Sequence, residues 1–173
     1  MFFSQDEKIK DVGLIIRELR KNDFRSFAQL RNSTINESDY MLFEPGEIIE
    51  TKSTVRNYLT DSTKTLIATF NGTFVGYTIL KIPQYKKSKH CAHLIIAVKK
   101  EFRGKGIGTE LMHKIEALAH AIGILRIELE VITENPAKNL YERSGYITEG
   151  RKIGVIFQNN RYLDVISMAK HLK

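Results

Sequence analysis

Residues 98 to 112 read V-K-K-E-F-R-G-K-G-I-G-T-E-L-M. An apolar run, residues 94 to 98, leads in and is short enough for a buried strand. Beyond the glycines, Ile107, Leu111, Ile115, Leu118, Ala119 and Ile122 recur at spacings of three and four. Glu110, Lys114 and Glu116 fall on the other side, so residues 105 to 122 form an amphipathic helix. The order is strand, glycine loop, helix. Gly104, Gly106 and Gly108 stand at alternate positions, where a missing Cβ permits unusual dihedrals and close approach of a ligand. The N–H groups of such a loop lie at a helix N-terminus, whose free donors and dipole favour an anion such as a pyrophosphate.

Two other phosphate loops fail on these residues. The dinucleotide fingerprint G-x-G-x-x-G needs a glycine where Thr109 stands if it starts at Gly104, and where Leu111 stands if it starts at Gly106. A Walker loop needs G-K-[S/T], which does not occur. The pattern R-x-x-G-x-G is present, from Arg103 to Gly108. In it the chain resembles the GCN5-related N-acetyltransferase (GNAT) family. The resemblance implies that Arg103, Gly104, Lys105, Gly106, Ile107, Gly108 and Thr109 hold the pyrophosphate of acetyl-CoA, with Ile96, Ala97 and Val98 of the preceding strand also touching this cosubstrate. The loop alone would also suit a glycine-rich turn before an ordinary helix.

The 173 residues, 42% of them apolar, suit a single domain with residues 1–11 as an N-terminal extension. No apolar run approaches the roughly 20 residues that span a bilayer, and residues 1–11 lack the apolar core of a secretory signal. The expectation is a soluble, cytoplasmic protein without a membrane partner. Cys91 is the single cysteine, so no internal disulfide forms, and no Cys/His cluster has zinc spacing. The net charge of +7 raises the question of nucleic acid. Lys99, Lys100, Arg103 and Lys105, however, crowd the glycine loop, where the phosphates of CoA account for them, while Lys86, Lys87 and Lys89 read as a solvated turn. No nucleic-acid-binding motif matches, so no nucleic-acid partner is expected.

In the first half, residues 12 to 19 read as a strand, and Asn22 or Asp23 caps a helix to about Ser33 that turns Phe24, Phe27, Ala28 and Leu30 inward. A second helix is expected from Ser53 or Thr54 to about Thr60. Residues 65 to 70 and 73 to 82 are strands joined by the hairpin signal Asn71-Gly72. Residues 32 to 51 hold Glu37, Asp39, Glu44, Glu47 and Glu50 and no Lys or Arg. In the second half, residues 125 to 132 alternate Ile127, Leu129 and Val131 with Arg126, Glu128 and Glu130, as a half-buried strand does. N-P-A-K-N-L-Y-E-R-S-G-Y follows, with Asn135 as N-cap, Pro136 as first helical residue and Gly145 closing a short helix. Residues 147 to 173 read as two strands joined through Asn159-Asn160.

The Asn135 to Tyr146 segment and the final hairpin also resemble the GNAT family, so the likeness covers about residues 12 to 172. It implies an α/β fold, a mixed, mostly antiparallel sheet of six or seven strands with a splayed central pair and helices on both faces. It places Asn135 by the cofactor's pantetheine arm and Tyr141, six residues on, by the thioester. Tyr146 stands where many members have Phe.

A phenol matches a thiol leaving group well, so Tyr141 is the expected general acid. Glu130 matches the general base of the ribosomal-protein acetyltransferases, with His93 and Glu37 as rivals. A backbone N–H near residues 96 to 98 would meet the oxyanion. The function implied is acetyl transfer to a primary amine, of a small molecule or a peptide N-terminus. A non-catalytic acyl-CoA-binding module of the same fold is the alternative, because cofactor binding and catalysis use different residues. The acidic stretch, lining the acceptor side in such folds, favours a cation. Glu37, Glu44 and His93 are the expected acceptor contacts. Oligomeric state stays open, members of the family often being dimers.

Overall fold

The computed structural model describes residues 13–41 and 44–173. The expected N-terminal extension, and Val12 at the start of the first strand, lie outside the described residues. Seven strands, β1 Leu14–Glu18, β2 Thr63–Phe70, β3 Thr73–Lys81, β4 Cys91–Val98, β5 Arg126–Ile132, β6 Ile147–Gln158 and β7 Arg161–His171, form one sheet in the order β1-β2-β3-β4-β5-β7-β6. Every neighbouring pair is antiparallel except β4 and β5, which run parallel. The fold class read from the sequence is the one observed. Both hairpin signals act through positive φ, 48° and 80° at Asn71 and Gly72 and 51° and 59° at Asn159 and Asn160. That is the conformation a two-residue turn needs to match the twist of its strands.

Alternation along the strands divides the core in two. Leu66 and Ala68 of β2 and Leu80 of β3 lie under α2 (Ile107–Ala121), packed with Ile107, Leu111, Met112 and Ile115. Ile67 and its β3 neighbours Tyr77 and Ile79 lie under α1 (Phe24–Asn36), packed with Phe24, Phe27, Ala28 and Leu30. Helices on both faces explain why the central strands are apolar almost without interruption.

Three local readings need correction. The expected second helix is a 3-10 turn, Thr54–Tyr58, in which Val55 alone is buried, and one apolar residue gives no stripe to carry a longer helix. Asp23 does not cap α1 with its side chain, because its carboxylate accepts from Arg17 at 2.7 and 2.9 Å and from the Arg20 N–H at 2.8 Å. The helix also runs three residues past Ser33, since Thr34 and Ile35 are buried. Finally, α3 is Lys138–Arg143, with Ala137 rather than Asn135 at its N-cap. Asn135 instead accepts the Ala137 N–H at 2.9 Å, and the bonds from Lys138 to Asn135 and from Asn139 to Pro136 span three residues, so the α-helix begins late.

The feature that positions the site is where the parallel pairing stops. β4 and β5 are in register only over Cys91, Ala92 and His93 against Arg126, Ile127 and Glu128. Beyond that, β4 stays paired to β3 as far as Val98 and β5 to β7 as far as Ile132. The sheet therefore opens into a V whose inner edges are backbone.

Candidate active site

One arm of the V ends in the glycine loop. After β4 a 3-10 turn, Lys100–Phe102, reverses the chain, and Arg103 Nε donates to the Val98 carbonyl at 2.9 Å, folding the loop back on the strand that precedes it. Gly104 and Gly106 have φ of +73° and +80°, and a Cβ at either would meet no protein atom within 4 Å. These glycines are required by the backbone conformation and not by packing against the protein. Gly108 differs: a Cβ would lie 3.1 Å from Leu140 Cδ2, so its smallness lets α2 pack on α3. Residues 103 to 106 are exposed at the N-terminus of α2, and Lys105 Nζ stands 5.0 Å over the Phe102 ring. Free N–H donors, a helix dipole and nearby lysines suit a pyrophosphate, and Ile96, Ala97 and Val98 lie on the open arm that leads to it.

The other arm carries Asn135 and Tyr141. Asn135 is half-buried, its side-chain oxygen spent on the turn before α3. Tyr141 sits in the α2-side core, and burial pushes its phenol up to about 12. The hydroxyl is therefore protonated throughout the neutral range.

The opposite face of the V is polar. Because Ile127, Leu129 and Val131 turn toward α2, Glu128 and Glu130 point the other way. There they line a cavity of about 120 Å³ with His93, Arg126, Glu149 and Ser167. Burial lowers the His93 pKa, Glu128 and Glu130 pull it back up, and the net effect is downward, so the ring is neutral at pH 7. Glu130 is ion-paired with Lys152. The structure thus brings His93 and Glu130 together and sets Tyr141 across the sheet from them. Glu128 was legible as the partner of Glu130 in the alternation. Glu149 and Lys152 were not, because they reach this face only through the β5–β7–β6 register, in which Glu130 is paired with Ser167 and Ser167 with Gly150.

The acidic stretch divides. Glu50 is buried and does not belong to an exposed field: it accepts from Arg31 Nε at 2.9 Å, the Tyr58 hydroxyl at 2.6 Å and the Thr54 hydroxyl at 2.7 Å. Burial pushes its carboxyl up, but those hydrogen bonds and the Arg31 charge outweigh it, leaving the pKa below the usual range. Glu37 accepts the Lys100 N–H at 2.7 Å and the Ser33 hydroxyl, and so braces the end of α1 against the turn that leads into the glycine loop. Asp39, Glu44 and Glu47 are exposed.

Comparison with known proteins agrees with this geometry. Residues 23–146 match the acetyltransferase (GNAT) family. An L-amino acid N-acetyltransferase of Escherichia coli K12 is 30% identical over 109 residues, 62% of this chain and 67% of the relative. A spermidine N(1)-acetyltransferase of Vibrio cholerae is 28% identical over 160 residues, 90% of this chain and 91% of the relative. The solved structure of a GNAT-family acetyltransferase from Streptococcus pneumoniae superposes with a TM-score of 0.86 at 28% identity, over 92% of this chain and 99% of that one. A glycine loop at the head of α2, a V between β4 and β5 and a match across most of the chain lead to one conclusion: the chain belongs to the GNAT family of acetyltransferases.

Proposed function

We propose that the chain transfers an acetyl group to a primary amine of a cationic acceptor, with the proton donor on one face of the V and the proton acceptor on the other. The observation that carries this reading is the separation of Tyr141, in the α2-side core, from His93 and Glu130 in the polar cavity. Bound acetyl-CoA supplies a thioester carbonyl and a thiol leaving group. N–H groups of Gly104 to Thr109 hold its pyrophosphate, the open edge of β4 at Ile96, Ala97 and Val98 lines its arm, and Asn135 stands on the facing wall. An ammonium cannot attack, so a proton must leave the acceptor first. Glu130 takes it, directly or through water, while Tyr141, protonated by its burial, gives a proton to the departing sulfur. The Lys152 ion pair on Glu130 favours a second reading, in which the neutral His93 beside it is the base.

Cation preference is supported by exposed Asp39, Glu44 and Glu47 and by the spermidine relative, while Glu128 and Glu149 at the cavity are already paired with Arg126. The amino-acid relative favours a carboxylated acceptor instead. The two are separated by rates with spermidine, a neutral primary amine and L-amino acids. Glu44→Lys with Glu47→Lys should raise KM for the cation several-fold more than for the neutral amine, by an amount that shrinks as salt screens it. Equal effects on both would leave the acidic stretch as ordinary surface. Binding of acetyl-CoA with no thiol release for any acceptor would contradict turnover itself.

A further inference from the structure

Glu116, placed by its spacing on the solvated side of α2, is turned inward. Its side chain is 12% exposed, and its Oε2 accepts from Lys170 Nζ of β7 at 2.7 Å. Lys170 Nζ in turn lies 5.9 Å over the ring of Tyr146. The Tyr146 hydroxyl, on a residue 2% exposed, faces the Glu116 carboxylate, which acts on it both as a charge and as a hydrogen-bond acceptor, although among the described residues the contact falls short of full hydrogen-bond geometry. Burial and the Glu116 charge both push this phenol up, so it stays protonated. A buried hydroxyl so loosely held adds little to stability, and phenylalanine would fill the same space at no greater cost. The proton-transfer scheme above gives the hydroxyl no part.

The way α3 ends connects this group to the site. Gly145, at φ +86°, donates to the Glu142 carbonyl at 3.0 Å, and Tyr146 donates to the Tyr141 carbonyl at 3.0 Å. These are the two bonds of a Schellman closure, whose usual companion is a side-chain contact between the residues joined by the longer bond. Here those residues are Tyr146 and Tyr141, whose ring centroids are 6.2 Å apart at 60°. Tyr141 is thus tied to Tyr146 by backbone and by ring, while the far end of Tyr146 is held in the field of Glu116 and Lys170. Glu116 lies on the helix whose N-terminus forms the cosubstrate loop, so one rigid element references both the donor phenol and the cosubstrate site.

We propose that Tyr146, anchored by the Glu116–Lys170 pair, is a positioning residue that sets the orientation of the Tyr141 phenol toward the V. The inference rests on the reading of Tyr141 as proton donor.

The test is Tyr146→Phe, alone and in a Tyr141→Phe background. Removing this loosely held hydroxyl should leave the melting temperature nearly unchanged, and acetyl-CoA affinity unchanged. Turnover should nonetheless fall roughly tenfold, less than the 10²-fold a misplacement of about 1 Å can cost. In the Tyr141→Phe background the same substitution should cost nothing further, because no phenol remains to be oriented. Glu116→Gln combined with Lys170→Met should reproduce the pattern. An equal loss in both backgrounds, or none in the wild type, overturns the proposal. Near-normal turnover of Tyr141→Phe alone overturns the donor reading and this inference with it. Impaired Tyr141→Phe beside fully active Tyr146→Phe overturns this inference only.

Discussion

The two sides of the V are made in opposite ways. The cosubstrate side is consecutive chain: a strand, a turn, three glycines and a helix N-terminus within residues 94 to 109, presenting mostly backbone. The side proposed for the acceptor is assembled from side chains far apart in sequence, His93, Glu128, Glu130 and Glu149, and the acidic stretch proposed to flank it is tied to α1 by the Arg31–Glu50 pair. A backbone site can be lost to one misplaced Cβ. A side-chain site is lost by removing charges, or the pair that fixes its frame.

The largest effect is expected on the backbone side. Gly106→Glu places a side chain at φ +80° and a negative charge where a pyrophosphate would lie, and calorimetry should find no acetyl-CoA binding to a protein whose circular dichroism is unchanged. Undiminished affinity would detach the loop from the cosubstrate. Next comes the frame of the acceptor side. Glu50→Gln strands the buried Arg31 charge and should lower unfolding free energy by about 3 kcal/mol or more, read from urea midpoints. The exposed Glu44→Gln should change it by less than about 0.5 kcal/mol. Similar values for the two would mean that the Arg31–Glu50 pair anchors nothing.

Smaller effects come from the proton acceptors. Glu130→Gln should slow turnover roughly tenfold at neutral pH, below the usual 10²-fold or more for a lost general base, and recover as rising pH deprotonates the amine. A loss that does not recover would move the role to His93. His93 also sets a pH signature in stability. Its folded pKa is depressed, chiefly by burial, so its contribution is fully present above the unfolded value near 6.5 and is lost as pH falls through the folded one. His93→Gln should make stability fall less steeply with acid over that window. Parallel profiles would mean that the ring carries no such penalty.

The same contrast governs what was legible in the sequence. The loop, both hairpins and the α2 stripe as far as Ala119 are local patterns, and each formed within a residue or two of where periodicity and turn chemistry put it, whereas Ile122, the last expected member of the stripe, lies past the helix and is exposed. The fates of Glu50 and Glu116 were not legible, because both depend on partners distant in sequence, Arg31 with Tyr58 and Lys170 with Tyr146. Five carboxylates in a row of residues suggested one field, and packing sorted them into an anchor, a brace and three solvated charges. Asn135 shows a milder version of the lesson. Its side chain accepts the Ala137 N–H in the turn that precedes the helix, but the three-residue bonds that follow put the helix start at Lys138 and the N-cap at Ala137.

The account turns on the proton donor lying across the sheet from the acceptor, and turnover of Tyr141→Phe, measured beside its acetyl-CoA affinity, tests that most directly. The expected result is a fall in kcat of roughly 10²-fold or more with affinity unchanged, as losing a general acid requires. A variant that binds acetyl-CoA normally and turns over at nearly the wild-type rate would contradict it.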